Sequence, residues 1–347
     1  MIDQTRLYQE IHEQPAVIER LLRDQRGAVT ELVRAIRSRE ITHVVIAARG
    51  TSDNAARYAQ YALGARNRLL VGLAAPSLYS VYQSPPRFHR SLVLGISQSG
   101  KSPDIVAVLA EARRQGALTA VVTNDPGSDL AGEGDVVVDL GAGEEKSVAA
   151  TKTYTAELAA IALLSASLGE GPEAFEALEK VPAAVAGALS AKGATALVAE
   201  RFRDVRRSIV IGRGFNYATA FEIALKLKEL TYTMVESYSS ADFLHGPLAL
   251  LEEGFPVLVL APSGRLLPEM VSLVATLREH RAEVVCLSDD AEARAAAPQS
   301  LAVPTVPEWL SPFTMVVPGQ LLALQLAHAR GLDIDAPRAI RKVTETT

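Results

Sequence analysis

The sequence predicts an α/β fold made of two similar halves, each built on a parallel sheet. Three observations predict it. Short β-branched runs alternate with longer stretches of helical periodicity, the pattern of strands joined by crossover helices. The strand runs fall into two sets that repeat at one spacing. A composition of 48% hydrophobic and 22% charged residues over 347 positions describes a folded chain with room for two cores.

The first set of strands is HVVIAA (43–48), SLVLGIS (91–97), LTAVVTN (118–124) and DVVVDL (135–140). The second is SIVIG (208–212), FPVLVLA (255–261), AEVVCLS (282–288) and SLAVPTV (300–306). ARG ending at Gly50 matches GRG ending at Gly214, SG ending at Gly100 matches SG ending at Gly264, and VVTND ending at Asp125 matches VCLSD ending at Asp289, each pair 164 residues apart. The expected organisation is a helical arm (1–24), a first half (25–165), a helical connector (166–189), a second half (190–330) and a polar tail (331–347).

Composition narrows the function. A net charge of −5 offers no basic face for nucleic acid or anionic membrane. The N-terminus MIDQTRLYQEIHEQP is too charged for a secretory leader. No apolar run approaches the roughly 18 residues of a membrane span, so the expectation is a cytoplasmic protein. Cys286, the single cysteine, excludes an intramolecular disulfide and fits a reducing compartment. Its flanks in EVVCLSDD make it a buried strand residue rather than a nucleophile. None of the six histidines stands at ligand spacing from another His, Cys286 or clustered carboxylates, so no metal and no cofactor is expected.

Ligands of parallel sheets bind beyond the carboxyl ends of the strands. Function is therefore expected in loops 49–54, 97–104, 123–129, 141–152, 213–217 and 262–265. One of them presents a choice. GISQSGKS (95–102) matches the nucleotide pattern G-x-x-x-x-G-K-[ST] at every position, and VVVD ending at Asp139 could supply the acidic strand of such a site. Against this, a complete βα unit precedes the motif and Pro103 follows it. Ser102-Pro103-Asp104 reads as N-cap, N1 and N2 of a helix, with the Ser102 hydroxyl placed to cap or to bind an anion at the helix mouth. Ser97, Gln98, Ser99 and Ser102 crowd hydrogen-bond donors into six residues, and Thr51 and Ser52 add two hydroxyls on the corresponding loop one strand earlier. The glycines and these short donors suit one phosphate monoester and nearby sugar hydroxyls. The equivalent loop of the second half, APSGRLL, keeps only Ser263, which assigns the anion cradle to the first half alone. GRGFNY (212–217) fails as a dinucleotide fingerprint because Tyr217 holds the third glycine's place.

Glu222, Lys226 and Glu229 in FEIALKLKEL fall within a narrow arc of one helix face. Spacing alone fits an i,i+4 ion pair on a solvated face. His245 in FLHGPLAL has the default reading of a satisfied core histidine, although Gly246-Pro247 places it in a turn. Lys342 in PRAIRKVTETT reads as a solvated terminal lysine.

GTS (50–52), ISQSGKS (96–102), NDPGSDLA (124–131), EEKSVAATKTYTAEL (144–158), ALKLKEL (224–230), HGPLAL (245–250) and DAPRAIRKVT (335–344) resemble the SIS (sugar isomerase) family. More narrowly, they are similar to the isomerase part of glucosamine-6-phosphate synthase, in the family's order from EIHEQP (10–15) almost to the last residue. The resemblance implies two tandem SIS domains, each a three-layer αβα sandwich with a parallel sheet, in agreement with the repeat. By this resemblance the chain is expected to start directly at the isomerase part, without the glutaminase domain of the synthases. The expectation is therefore a stand-alone member that releases or uses free ammonia.

By resemblance, Glu229 moves a proton between C1 and C2 of an open-chain sugar, with Glu222 and Lys226 as charge partners and sugar contacts. His245 assists ring opening and is supplied across a dimer interface. Lys342, on a tail folded over the sugar site, forms a Schiff base with the carbonyl. Thr51, Ser52, Ser97, Gln98, Ser99, Ser102 and Val148 form the substrate- and phosphate-binding set. The chain departs from the synthases at Lys101-Ser102, where they carry Glu-Thr, and at Ala150, where they carry Ser. The implied function is conversion of glucosamine 6-phosphate to fructose 6-phosphate and ammonia by a homodimer with shared active sites. Its alternatives are a fructosamine-type deglycase and a non-catalytic sugar-phosphate-binding protein, with the nucleotide site as a further rival.

Overall fold

The computed structural model describes residues 2–169, 171–340 and 342. Met1 of the expected arm, Glu170 of the connector, and 341 and 343–347 of the tail lie outside the described residues. So does the expected closure of the tail, apart from the placement of Lys342. The chain divides into two compact units. One comprises Ala16–Glu145, Lys152–Glu179 and Lys342; the other holds the residues up to Pro15, Lys146–Thr151 and Lys180–Ile340.

The first unit is built on five parallel strands, β1 (His43–Ala47), β2 (Leu70–Leu73), β3 (Ser91–Ser97), β4 (Leu118–Thr123) and β5 (Val136–Asp139), in the order β2-β1-β3-β4-β5. The register places Val93 of β3 opposite Val45 of β1 and Thr119 of β4. Every residue of β3 and β4 is buried, as in strands covered by helices on both faces. Ile105, Val108, Leu109 and Ala112 of helix Pro103–Arg114 pack on Val93 and Val121; their i, i+3, i+4, i+7 spacing defines one helix face. Each large apolar side chain so buried contributes about 1.5–3 kcal/mol.

The second unit repeats the plan with β6 (Arg207–Ile211), β7 (Met234–Tyr238), β8 (Pro256–Leu260), β9 (Glu283–Ser288) and β10 (Gln299–Ala302), in the order β10-β9-β8-β6-β7. β1 and β2 start at 43 and 70, and β6 and β7 start at 207 and 234, so the 164-residue repeat extends to a strand in each half that the sequence reading missed. LVGL and MVESY are short edge strands with alternate residues exposed, and they lack the continuous apolar run that marks the central strands. In SLAVPTV only the first part, through Ala302, is strand; Pro304 and Pro307 stop it.

Two helical stretches, Glu173–Arg201 and Glu308–Ala329, are long and apolar enough by composition to span a bilayer. The expectation that no apolar segment approaches that length is corrected accordingly. The apolar window of the second stretch is entirely buried. Within it, helix Ser311–Ala329 packs against helix Phe215–Thr231 so closely that a Cβ on Gly319 would lie 2.3 Å from Ile223 Cγ1. Cys286 lies in β9 and is fully buried, as expected, and burial raises its thiol pKa to about 12.

Candidate active site

In an open parallel sheet the ligand crevice opens where the strand order reverses. In the first unit that point lies between β1 and β3. Thr51 and Ser52 stand in the first turn of helix Gly50–Tyr61, which follows β1. Ser97 ends β3, and Gln98, Ser99 and Ser102 follow it before helix Pro103–Arg114. The structure thus brings the six expected phosphate-side residues onto the two loops that flank the switch point. Arg49 ties these loops together, with Nε at 2.8 Å and Nη2 at 2.7 Å from Asp104 Oδ2. Asp104 is buried, and pairing with the guanidinium offsets the cost of burying its carboxylate.

The local geometry corrects the nucleotide pattern. Gly95 is a mid-strand residue of β3, opposite Ala47 and Val121, so Gly100 is the one glycine of the motif in the loop. Gly100 has φ +63°, and a Cβ there would fall 2.0 Å from Ser128 Oγ; no other residue fits. Ser97 Oγ accepts from Gly100 N at 3.1 Å, and Gln98 O accepts from Asn124 N at 3.1 Å, which fixes the turn. Ser102 occupies the N-cap position as expected, but its hydroxyl makes no capping bond. Of the two roles the sequence allowed it, the structure leaves it available for an anion at the helix mouth. Among the described residues no protein acceptor meets the N–H of Ser99 or Ser102. Ser52 is buried and donates to Glu157 Oε1 at 2.7 Å, so in this geometry its oxygen can only accept.

The second unit provides an internal comparison at the same spacing. Ser263, the counterpart of Ser99, donates its N–H to Asp289 Oδ1 at 2.7 Å, and Arg265, the counterpart of Lys101, donates its N–H to Glu308 Oε2 at 3.1 Å. Arg213, after β6, pairs with Glu269, which also accepts from Ser240 Oγ. The chain's own carboxylates fill the loop donors there. A cation follows the loop glycine in both halves, and Lys101 and Arg265 are both exposed.

Helix Phe215–Thr231 carries Glu222, Lys226 and Glu229. Lys226 Nζ lies 2.7 Å from Glu229 Oε2 and 3.4 Å from Glu222 Oε1, and the side-chain exposures are 0% for Glu222, 1% for Lys226 and 22% for Glu229. The solvated-face reading therefore fails, since only Lys228 of this segment is exposed. Burying charges costs several kcal/mol per ion, roughly offset only when they are paired. Here the buried lysine compensates two carboxylates and leaves the second one open to a ligand.

His245 caps the short helix Ser240–Leu244 and is exposed, which removes the core-histidine reading. Val148 is half-buried in Lys146–Thr151, a segment held by the Glu10 carboxylate, which accepts from Lys146 N and, at 3.2 and 3.3 Å, from Ser147 N. His245 and Val148 share a unit with Glu222, Lys226 and Glu229, and no hydrogen bond joins them to the three among the described residues. Lys342 is not a solvated tail residue. Its Nζ lies 2.8 Å from the buried Glu145 Oε2.

Glu145, Glu157 and the Arg49–Asp104 pair were missed from sequence. The available signal was weak: EEKS offers two adjacent glutamates, of which only Glu145 is buried.

Comparison with known proteins fits this architecture. The SIS domain model matches residues 38–167 and 201–330, one segment on each sheet. Glutamine–fructose-6-phosphate aminotransferase (isomerizing) of Thermus thermophilus is 37% identical over 351 residues, covering 97% of this chain and 58% of that protein. The chain thus spans little more than half the length of that relative. A Silicibacter pomeroyi protein with a provisional phosphosugar isomerase designation is 35% identical with a TM-score of 0.87, over 95% of this chain and 100% of that one. The C-terminal domain of glucosamine-fructose-6-phosphate aminotransferase from Francisella tularensis is 27% identical, also with a TM-score of 0.87, over 96% and 98%. With a matched segment on each of its two parallel sheets, the chain belongs to the SIS domain family.

Proposed function

We propose that this chain is a phosphosugar isomerase and deaminase acting on a 6-phosphorylated amino sugar, converting glucosamine 6-phosphate to fructose 6-phosphate and ammonia. The observation that carries the reading is Glu229, a partly exposed carboxylate backed by the buried Glu222–Lys226 pair. Moving a proton between C1 and C2 needs one base that reaches both carbons. A carboxylate fixed by a buried ammonium and open on one side suits that task. The loops after β1 and β3 take the phosphate, His245 assists ring opening, and Lys342 engages the open-chain carbonyl. The phosphosugar designations of the similar proteins support the substrate class. The reading extends to a cytoplasmic homodimer with shared active sites.

The test is a substrate panel. Ammonia release from glucosamine 6-phosphate by wild type, and its loss in Glu229→Gln, supports the reading. Turnover of only an amino-acid conjugate of fructose 6-phosphate would make the chain a deglycase. Thermal stabilisation by fructose 6-phosphate without turnover would make it a sensor. Stabilisation by Mg-ATP alone would restore the nucleotide site.

A further inference from the structure

The carboxylate that meets Lys342 has no part in the roles assigned above. Glu145 is held from two sides. Its Oε2 accepts from Lys342 Nζ at 2.8 Å and from Thr153 Oγ1 at 2.7 Å, and its Oε1 accepts from Thr153 N at 3.2 Å. Thr153 stands in the first turn of helix Lys152–Leu168, where the macrodipole also favours an anion. The Glu145 side chain is fully buried, whereas that of Lys342 is 23% exposed. The carboxylate is therefore the fixed member of the pair and the lysine the movable one.

An ammonium has no lone pair and cannot attack a carbonyl. A nucleophilic lysine has to lose a proton to a group within hydrogen-bond reach. Resting on the assignment of Lys342 as the Schiff-base lysine, we propose that Glu145 is its positioning residue. Glu145 parks the ammonium, aims it and takes up its proton as the C–N bond forms. The protons balance. The nitrogen lone pair forms the C–N bond while the carbonyl π pair moves to oxygen. Two of the three ammonium protons leave with that oxygen as water, and one stays on the iminium nitrogen. Glu145 carries one of the two in transit and ends ionised again. Thr153 keeps the carboxylate in place for each cycle.

The experiment is borohydride trapping of the full chain in fructose 6-phosphate, with the adduct located by peptide mass and steady-state kinetics measured in parallel. Wild type should give a reduced sugar adduct on Lys342. Glu145→Gln keeps the shape and the Thr153 contacts but cannot take a proton; its trapping rate should fall at least about tenfold, with kcat falling in step and KM within about twofold. Thr153→Val should give a smaller loss of the same kind. If Glu145→Gln does not fold by circular dichroism, Glu145→Asp serves, and it should trap more slowly than wild type. Trapping of Glu145→Gln at the wild-type rate would overturn the inference while leaving the Lys342 assignment intact. Absence of any adduct on Lys342 in active wild type would overturn the assignment and the inference with it.

Discussion

Lys226 Nζ sits 2.7 Å from Glu229 Oε2 on a helix face where Lys226 is buried and Glu229 is not. The two ends of this pair should respond differently to mutation. Glu229→Gln removes the proposed base while keeping shape, and kcat should fall by about 10²–10⁴ with little change in unfolding free energy. Lys226→Met leaves Glu222 and Glu229 without their shared cation and should cost about 3–5 kcal/mol of stability. Urea unfolding together with steady-state kinetics separates the two effects.

The proposed phosphate loop should be sensitive on one sheet only. Ser99→Ala and Ser102→Ala should each lower kcat/KM for a sugar phosphate by about tenfold, the worth of one or two hydrogen bonds to a charged group. Ser263→Ala, at the matching position where Asp289 and Glu308 already satisfy the loop, should stay within about twofold. Calorimetric titration should give one fructose 6-phosphate per chain.

The proposed shared active sites predict complementation. Glu229→Gln and His245→Ala should each be impaired alone, and subunit-exchanged mixtures should recover up to about a quarter of wild-type activity, following closed two-fold symmetry with one intact site per mixed dimer. Mixtures that stay at the level of the single mutants would argue against His245 being supplied by a partner.

Arg330 staples the end of helix Ser311–Ala329 to its own unit. Its guanidinium donates to the carbonyls of Arg203 at 2.7 Å, Thr231 at 2.8 Å, Phe202 at 3.2 Å and Val205, and to Thr233 Oγ1 at 2.8 Å. Arg330→Ala should destabilise by about 2–5 kcal/mol, because several acceptors lose their donor together. Lysine should not rescue it, since an ammonium cannot span that fork. Chemical denaturation midpoints provide the measurement.

Cys286 should be inert to Ellman's reagent in the native chain and react once per chain after unfolding. Burial raises its thiol pKa from the ordinary 9.0 to about 12. Between those values the unfolded state has lost a proton that the folded state keeps, so stability falls as pH rises through that window. Cys286→Val should flatten the alkaline limb of the stability profile.

The central strands were legible because burial on both faces leaves an uninterrupted β-branched run, as in SLVLGIS and FPVLVL. Edge strands have no such run, and LVGL and MVESY were missed although the 164-residue repeat would have paired them. Helical spacing placed Glu222, Lys226 and Glu229 on one face, because periodicity is a property of the local chain. It could not tell a buried face from a solvated one, because burial is decided by residues far away in sequence. The same limit hid Glu145, 197 positions from Lys342, and Arg49, 55 positions from Asp104. Gly95 matched the nucleotide pattern from within SLVLGIS, a strand already legible in the sequence, because such a pattern does not distinguish a strand glycine from a loop glycine.

The most direct test of Glu229 as the proton-moving base is solvent exchange. Fructose 6-phosphate incubated with the chain in D₂O, followed by proton NMR, should lose signal at C1 as deuterium enters. The Glu229→Gln variant, still binding the sugar phosphate, should exchange at least about 100-fold more slowly. Exchange by Glu229→Gln at the wild-type rate would contradict the assignment.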